Sequence, residues 1–110
     1  MKRKLIYSKE YLEFANTSSK RAQVKLLYAT SILETAKPIS AKFVKKLRNT
    51  DFYELRISVE NEIRVILFSA DNDDINLAET IVFLNGFVKK GTKDYEKEIL
   101  KAINILKSVI

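Results

Sequence analysis

Between Tyr53 and Val59 the chain alternates without a break: Tyr53, Leu55, Ile57 and Val59 are apolar or aromatic, and Glu54, Arg56 and Ser58 between them are polar. Side chains with a period of two fall on opposite faces of an extended strand, and no helix can gather such a set on one side. A half-buried β-strand therefore starts at Tyr53, and much of what surrounds it must form a sheet. Glu62 to Ser69 resumes as a strand that is apolar on both faces, and Thr80 to Phe87, Thr-Ile-Val-Phe-Leu-Asn-Gly-Phe, is a further β-rich run. Glu60-Asn61 is the expected hairpin tip, because Asn tolerates the left-handed backbone of tight turns. Two consecutive antiparallel pairings are the economical topology.

Helical spacing flanks this sheet. Lys4 to Tyr7 reads as a short strand, and Ser8 caps a helix carrying Tyr11, Leu12, Phe14 and Ala15. Asn16 to Ser19 is a polar break, after which Ser18 or Ser19 caps a second helix with the apolar stripe Val24, Leu27, Tyr28 and Ile32. Pro38 closes that region, and Ile39 to Leu47 reads as a short turn or helix with Lys42, Lys45, Lys46 and Arg48 on its basic face. Asp94 caps a last helix with Ile99, Ala102, Ile103, Leu106 and Ile110 on one face. The expected fold is α+β over a single domain, residues 1–110: an antiparallel β-sheet with N-terminal helices and a C-terminal helix packed on it. The helices are expected on one side, leaving the other sheet face for function.

The chain has no Cys and no His. That removes disulfides, thiolate sites, Cys nucleophiles, the commonest general base and the commonest metal ligand, so any catalysis must use Lys, Arg, Tyr or carboxylates, with no metal and no cofactor expected. A formal net charge of +6 favours polyanionic partners, though Lys-rich surfaces also serve solubility. The basic stretch Met1 to Tyr7 lacks the apolar run of a signal peptide, and no segment is long enough to span a bilayer, so a cytoplasmic protein with no membrane partner is expected. The sequon Asn16-Thr17-Ser18 is accordingly read as a loop. Asp71-Asn72-Asp73-Asp74 invites a calcium reading, but it lacks the Gly and the distal Glu of an EF-hand, and an acidic turn accounts for it better.

The informative cluster is basic. Arg56 and Arg64 stand at matching distances from the hairpin tip, nearly opposite one another, and Lys89, Lys90 and Lys93 follow the last strand. Like charges opposite each other are destabilising. Two explanations stay open: a polyanion lies across the pair, or both guanidiniums are neutralised by Glu54, Glu60 or Glu62. Lys45, Lys46 and Arg48 extend the same surface, and Tyr53, Phe87 and Tyr95 are the aromatic residues beside it, of which Tyr95 is the best exposed candidate for stacking on a base.

Lys46-Leu47, then Tyr53-Glu54-Leu55-Arg56-Ile57, then Arg64, then Phe83-Leu84-Asn85-Gly86-Phe87-Val88-Lys89-Lys90 resembles RelE/HigB-type toxins, especially the phage-derived HigB branch. The resemblance runs over most of the chain. It implies a RelE-like fold and a toxin of a type II toxin–antitoxin system: an mRNA interferase, metal-independent, that cleaves message on the ribosome and is held inactive, as a hetero-oligomer, by a cognate antitoxin. The ribose 2′-hydroxyl would attack the adjacent phosphate. Carried over by position, Arg56, Arg64 and Lys90 would stabilise the scissile phosphate, Lys89 and Lys93 would hold the flanking backbone, and Lys45, Lys46 and Arg48 would contact RNA. Tyr95, where relatives commonly have Pro, or a lysine would transfer the proton. The family's usual His is Asn85 here, and the aromatic residue before the second-strand Arg is Ile63. Arg64→Ala and Lys90→Ala are expected to abolish toxicity without unfolding the protein.

Two other functions fit the same scaffold, because fold does not fix activity. A ParE-like toxin would inhibit DNA gyrase without cutting RNA, and a plain nucleic-acid-binding module would do neither. A neighbouring antitoxin gene and growth arrest on expression separate both toxins from the module.

Overall fold

A computed structural model describes residues 2–109 as five strands and three helices: β1 (Lys4–Tyr7), α1 (Lys9–Thr17), α2 (Lys20–Thr35), β2 (Val44–Lys46), β3 (Phe52–Ser58), β4 (Glu62–Ser69), β5 (Thr80–Val88) and α3 (Lys93–Val109). Met1 and Ile110, the latter placed on the last helix by its spacing, lie outside the described residues. The strands form one sheet in the order β1-β5-β4-β3-β2. The β2–β3, β3–β4 and β4–β5 pairings are antiparallel, as the sequence indicates, whereas β1 runs parallel to β5. The edge strand β2 occupies residues expected to form a turn or helix. Its Val44 is buried in the core and opposite Leu55, so tertiary pairing outweighs the local helical spacing.

Helices cover both faces rather than one. Against α1 and α2 pack Leu55, Ile57, Ile63, Val65, Leu67, Ile81 and Phe83, together with Tyr11, Leu26 and Leu33. On the opposite face Ile66, Val82, Leu84 and Phe87 meet Ala102 and Ile105 of α3. Helix α3 lies against β5, and the part of that face formed by β2 and β3 stays open beside it. The apolar character of β4 on both sides reflects this double coverage.

Ser8 caps α1, its hydroxyl accepting from Tyr11 N (2.9 Å), and Ser19 caps α2, accepting from Ala22 N (3.2 Å). Asn16 and Thr17 form the last turn of α1 instead of a loop. The stripe on α2 is rotated from its expected position. Ala22, Leu26, Ala29, Thr30 and Leu33 are buried, while Val24, Leu27 and Tyr28 are exposed and Ile32 is half-buried. The buried stripe combines Ala22 and Ala29 with Leu26 and Leu33, and the exposed Val24 and Leu27 border a groove of ≈ 470 Å³ between α1 and α2 with Tyr7, Tyr11 and Leu12. Arg3, itself buried, closes the far end of α2: Nη1 donates to the carbonyls of Leu33 (2.9 Å) and Ala36 (2.8 Å), and Nη2 to that of Asn76 (3.0 Å).

The β3–β4 hairpin turns through Val59, Glu60 and Asn61, with Ser58 opposite Glu62. Asn61 does not take the left-handed backbone expected of it; among the described non-glycine residues only Asn49, in the β2–β3 turn, has a positive φ, 61°. The acidic loop is a turn, as expected. Asp71 accepts from the backbone N–H groups of Glu79 and Thr80, Asn72 from that of Asp74, and Asp74 from that of Asn76. A register shift at Ile66/Leu67 passes over Leu84, which turns both Leu84 and Asn85 toward α3. Gly86 then faces α1: a Cβ there would lie 2.3 Å from Phe14 Cδ2, so the close approach of α1 to β5 requires glycine at this point.

Candidate functional site

Glu54 and Arg56 are two residues apart on β3, so both project toward the α3 side of the sheet, and the β3–β4 register puts Arg64 directly opposite Arg56. Glu54 is then the diagonal neighbour of Arg64. That diagonal resolves the clash of like charges. Arg64 Nε lies 3.1 Å from Glu54 Oε1, Nη2 donates to Glu62 Oε1 (3.3 Å), and Nη1 donates to the Ile63 carbonyl (3.0 Å). Arg64 is 3% exposed and Glu54 7%, so the ion pair is buried. Of the three carboxylates named from the sequence, Glu54 and Glu62 are thus the partners of Arg64, Glu60 instead accepts from Ser19 Oγ (2.8 Å), and Arg56 forms no ion pair with any of them among the described residues.

Tyr95, in the first turns of α3, completes this constellation. Its hydroxyl donates to Glu54 Oε1 (2.6 Å) and accepts from Arg64 Nε (3.1 Å). Its ring stands edge-on to Phe87 at 5.5 Å and carries the Lys89 ammonium over it at 5.5 Å. Burial, followed by the hydrogen bond to Glu54, raises the Tyr95 pKa above its ordinary 10.0. Burial alone would lower that of Arg64, but the hydrogen bond to Tyr95 and the pairing with Glu62 and Glu54 raise it above the ordinary value of a guanidinium.

In front of this trio opens a cleft of ≈ 630 Å³. Its wall carries Lys45, Lys46, Arg48, Arg56 and Lys89, together with Glu54, Thr92, Tyr95, Leu47 and Ile99. Five of the expected residues on the basic surface therefore converge, and Tyr95 lies among them. Arg64 does not line the cleft but stands behind Glu54 and Tyr95. Lys90 and Lys93 are exposed and lie outside the lining, on the approach to α3. Asp94 does not cap α3 from in front. It sits within the first turn and reaches back, Oδ2 accepting from Lys90 N (2.7 Å) and Gly91 N (3.0 Å), which lowers its pKa below 3.8. Lys46 is tied to the β2–β3 turn, donating to the Thr50 carbonyl and resting over the Tyr53 ring at 5.8 Å.

The residue that sequence reasoning missed as a cleft group is Glu54, considered there only as a counter-ion. The signal was available, since a carboxylate two residues before Arg56 must share its face. Asn85, at the family's His position, lies under α3 with 1% exposure, its Nδ2 donating to Glu98 Oε1 (2.9 Å) and to the Glu98 carbonyl (3.2 Å). It holds β5 to α3 and does not face the cleft.

Sheet order, the helices on its two faces and the marginal cleft define a protein of the RelE fold. The chain aligns with a double arginine-to-alanine mutant of the Escherichia coli toxin RelE in the free state at a TM-score of 0.65 and 13% identity, over 92% of this chain and 98% of that one. The intact E. coli RelBE toxin–antitoxin complex gives 0.58 at 14% identity (81% and 99% covered), and the RelBE2 toxin–antitoxin complex from Mycobacterium tuberculosis 0.52 at 13% (81% and 100%). The chain belongs to the family described as "Phage derived protein Gp49-like (DUF891)", whose profile matches residues 13–107, in agreement with the phage-derived branch indicated by the sequence motifs. Among curated proteins none matches the chain significantly.

Proposed function

We propose that this protein is the toxin of a toxin–antitoxin pair and that it cleaves messenger RNA on the ribosome. The observation that carries the reading is the cleft itself: cations at Lys45, Lys46, Arg48, Arg56 and Lys89 surround a hydroxyl and a carboxylate held at fixed positions. Such a cleft suits a phosphodiester, whose backbone charge the cations offset while the bound hydroxyl and carboxylate handle protons. Arg56 and Lys89 stabilise the negative charge developing on the phosphate, and Lys90 and Lys93 hold the strand where it leaves the cleft. Membership of the phage-derived family and the likeness to RelE, whose complexes with antitoxin share this fold, support the reading. They also support an antitoxin partner that covers the basic surface with an acidic or amphipathic segment. The exposed apolar face of α2 is further surface for a protein partner.

The test is pulsed expression of wild type and Arg56→Ala, mapping the 5′ ends of cellular messages while DNA breaks are followed. Codon-phased cleavage, lost in the variant, is expected. Growth arrest with intact messages and new DNA breaks would assign the protein to gyrase inhibition, and no arrest would reject the toxin reading.

A further inference from the structure

The cleft contains one carboxylate among the described residues, and its geometry distinguishes its two oxygens. Oε1 of Glu54 is fixed by Tyr95 (2.6 Å) and Arg64 (3.1 Å). No described residue donates a hydrogen bond to Oε2, yet Oε2 is not among the buried polar atoms left without a partner, so it retains access to the cleft that Glu54 lines. Here one is anchored and the other is presented.

Tyr95 is not a proton acceptor at neutral pH, because burial and its hydrogen bond to Glu54 keep the phenol protonated. It is a donor beside an acceptor.

We propose that Glu54 is the general base of the cleft, taking the proton of the attacking ribose 2′-hydroxyl on Oε2, with Tyr95 as the proton donor to the leaving oxygen and Arg64 as the positioning residue for both. This rests on the ribonuclease reading above. As the 2′-oxygen forms its bond to phosphorus, its proton passes to Glu54. As the bond from phosphorus to the 5′-oxygen breaks, the Tyr95 hydroxyl turns its proton from Glu54 Oε1 to that oxygen. The products are a cyclic 2′,3′-phosphate and a free 5′-hydroxyl, and the proton held by Glu54 afterwards restores the phenol. No metal or other co-reactant enters the balance. Arg64 stands behind Glu54 and Tyr95, away from the cleft, and its Nε, donating to the phenol oxygen beside Oε1, holds the two groups in one arrangement.

The charged and titratable groups around Glu54 are Arg64 from β4 with Glu62 beyond it, Tyr95 from α3, Lys45 and Lys46 from β2, Arg48 in the turn after it, Lys89 after β5 and Arg56 from its own strand. Of these only Glu54 and Glu62 are carboxylates, so an acid limb in the cleavage rate has two candidate sources. The experiment is single-turnover cleavage of message in programmed ribosomes, measured across the acid-to-neutral range for wild type, Glu54→Gln, Glu54→Asp and Glu62→Gln, with ribosome binding and melting temperature measured on the same preparations.

Glu54→Gln, which can still accept from Tyr95, is expected to bind normally, to cleave about 10²- to 10⁴-fold more slowly, and to lose the acid limb. Glu54→Asp is expected to recover part of the rate together with the limb, and Glu62→Gln to keep the limb. A folded Glu54→Gln that cleaves near the wild-type rate, or keeps the acid limb, overturns the proposal while leaving the ribonuclease reading intact. Absence of cleavage by the wild type overturns both. Should Glu54→Gln not fold, the double variant Glu54→Gln/Arg64→Gln buries no unpaired charge and decides the matter: cleavage by it at the wild-type rate is the overturning result, and binding without cleavage the expected one.

Discussion

Arg64 illustrates how burial changes the meaning of a residue whose type suggests phosphate binding. With its side chain 4% exposed and its donors directed at Glu54, Glu62, Tyr95 and Ile63, truncation would strand the Glu54 carboxylate in a poorly solvated site. Breaking a buried pair in this way costs about 3–5 kcal/mol. Arg64→Ala is therefore expected to lower stability by that order in chemical denaturation, contrary to the expectation from sequence that it leaves the fold untouched. Arg56→Ala, on the half-buried cleft wall, is expected to stay within about 0.5 kcal/mol of wild type while weakening RNA binding. Arg3, which no sequence pattern singled out, makes three charge-assisted bonds to carbonyls at the end of α2 and beyond. Arg3→Met is expected to destabilise by roughly 1.5–3 kcal/mol, again read by denaturation.

At the scale of elements, the rotation of α2 is the difference that matters. Periodicity identifies a helix from a repeat of apolar residues, but two stripes are available, and size favours Val24, Leu27 and Tyr28 while packing selects Ala22, Leu26, Ala29 and Leu33. Ala22 and Ala29 let Leu26 and Leu33 reach the core, a contribution of small side chains that hydrophobicity alone does not weigh. Leu27→Gln is expected to change stability by no more than about 0.5 kcal/mol, and Leu26→Ala to cost about 2–5 kcal/mol. The opposite order would put the helix back in the register that the sequence suggests. The contact of α1 with β5 makes a second element-scale prediction. Gly86→Ala places a Cβ against the Phe14 ring and should destabilise by about 1–3 kcal/mol, and Phe14→Ala in the same chain should relieve part of that cost, a non-additivity that a double-mutant cycle measures.

The whole molecule adds charge and pH. If the cleft engages three to five single-strand phosphates, the logarithm of RNA affinity should fall with the logarithm of salt at a slope on the order of −2 to −3.5, measurable by filter binding. A flat response would contradict a basic groove. Stability against pH has a definite shape. Asp71, through the N–H groups of Glu79 and Thr80, and Asp94, through those of Lys90 and Gly91, are held below their ordinary 3.8. Their contribution is present above that value and disappears as pH falls through the folded-state values. Tyr11, pushed up by burial to about 12, and Tyr7 and Tyr95, also raised mainly by burial, contribute below 10.0 and cease to do so as pH rises through their folded values. Melting temperature should therefore show a neutral plateau with a fall on each side, and Asp71→Ala should flatten the acid side. Among the described residues no helix is long and apolar enough to cross a membrane.

The strand periods of β3, β4 and β5, the serine caps of α1 and α2, the convergence of Lys45, Lys46, Arg48, Arg56 and Lys89, and the phage-derived family were all legible in the sequence, because each depends on short-range spacing or on a motif. The parallel placement of β1 beside β5, the strand at Val44–Lys46, the covering of both sheet faces and the choice of Glu54 as the partner of Arg64 were not. Those features are settled by contacts between distant segments, where burial on one side of a residue depends on what the rest of the chain has already filled.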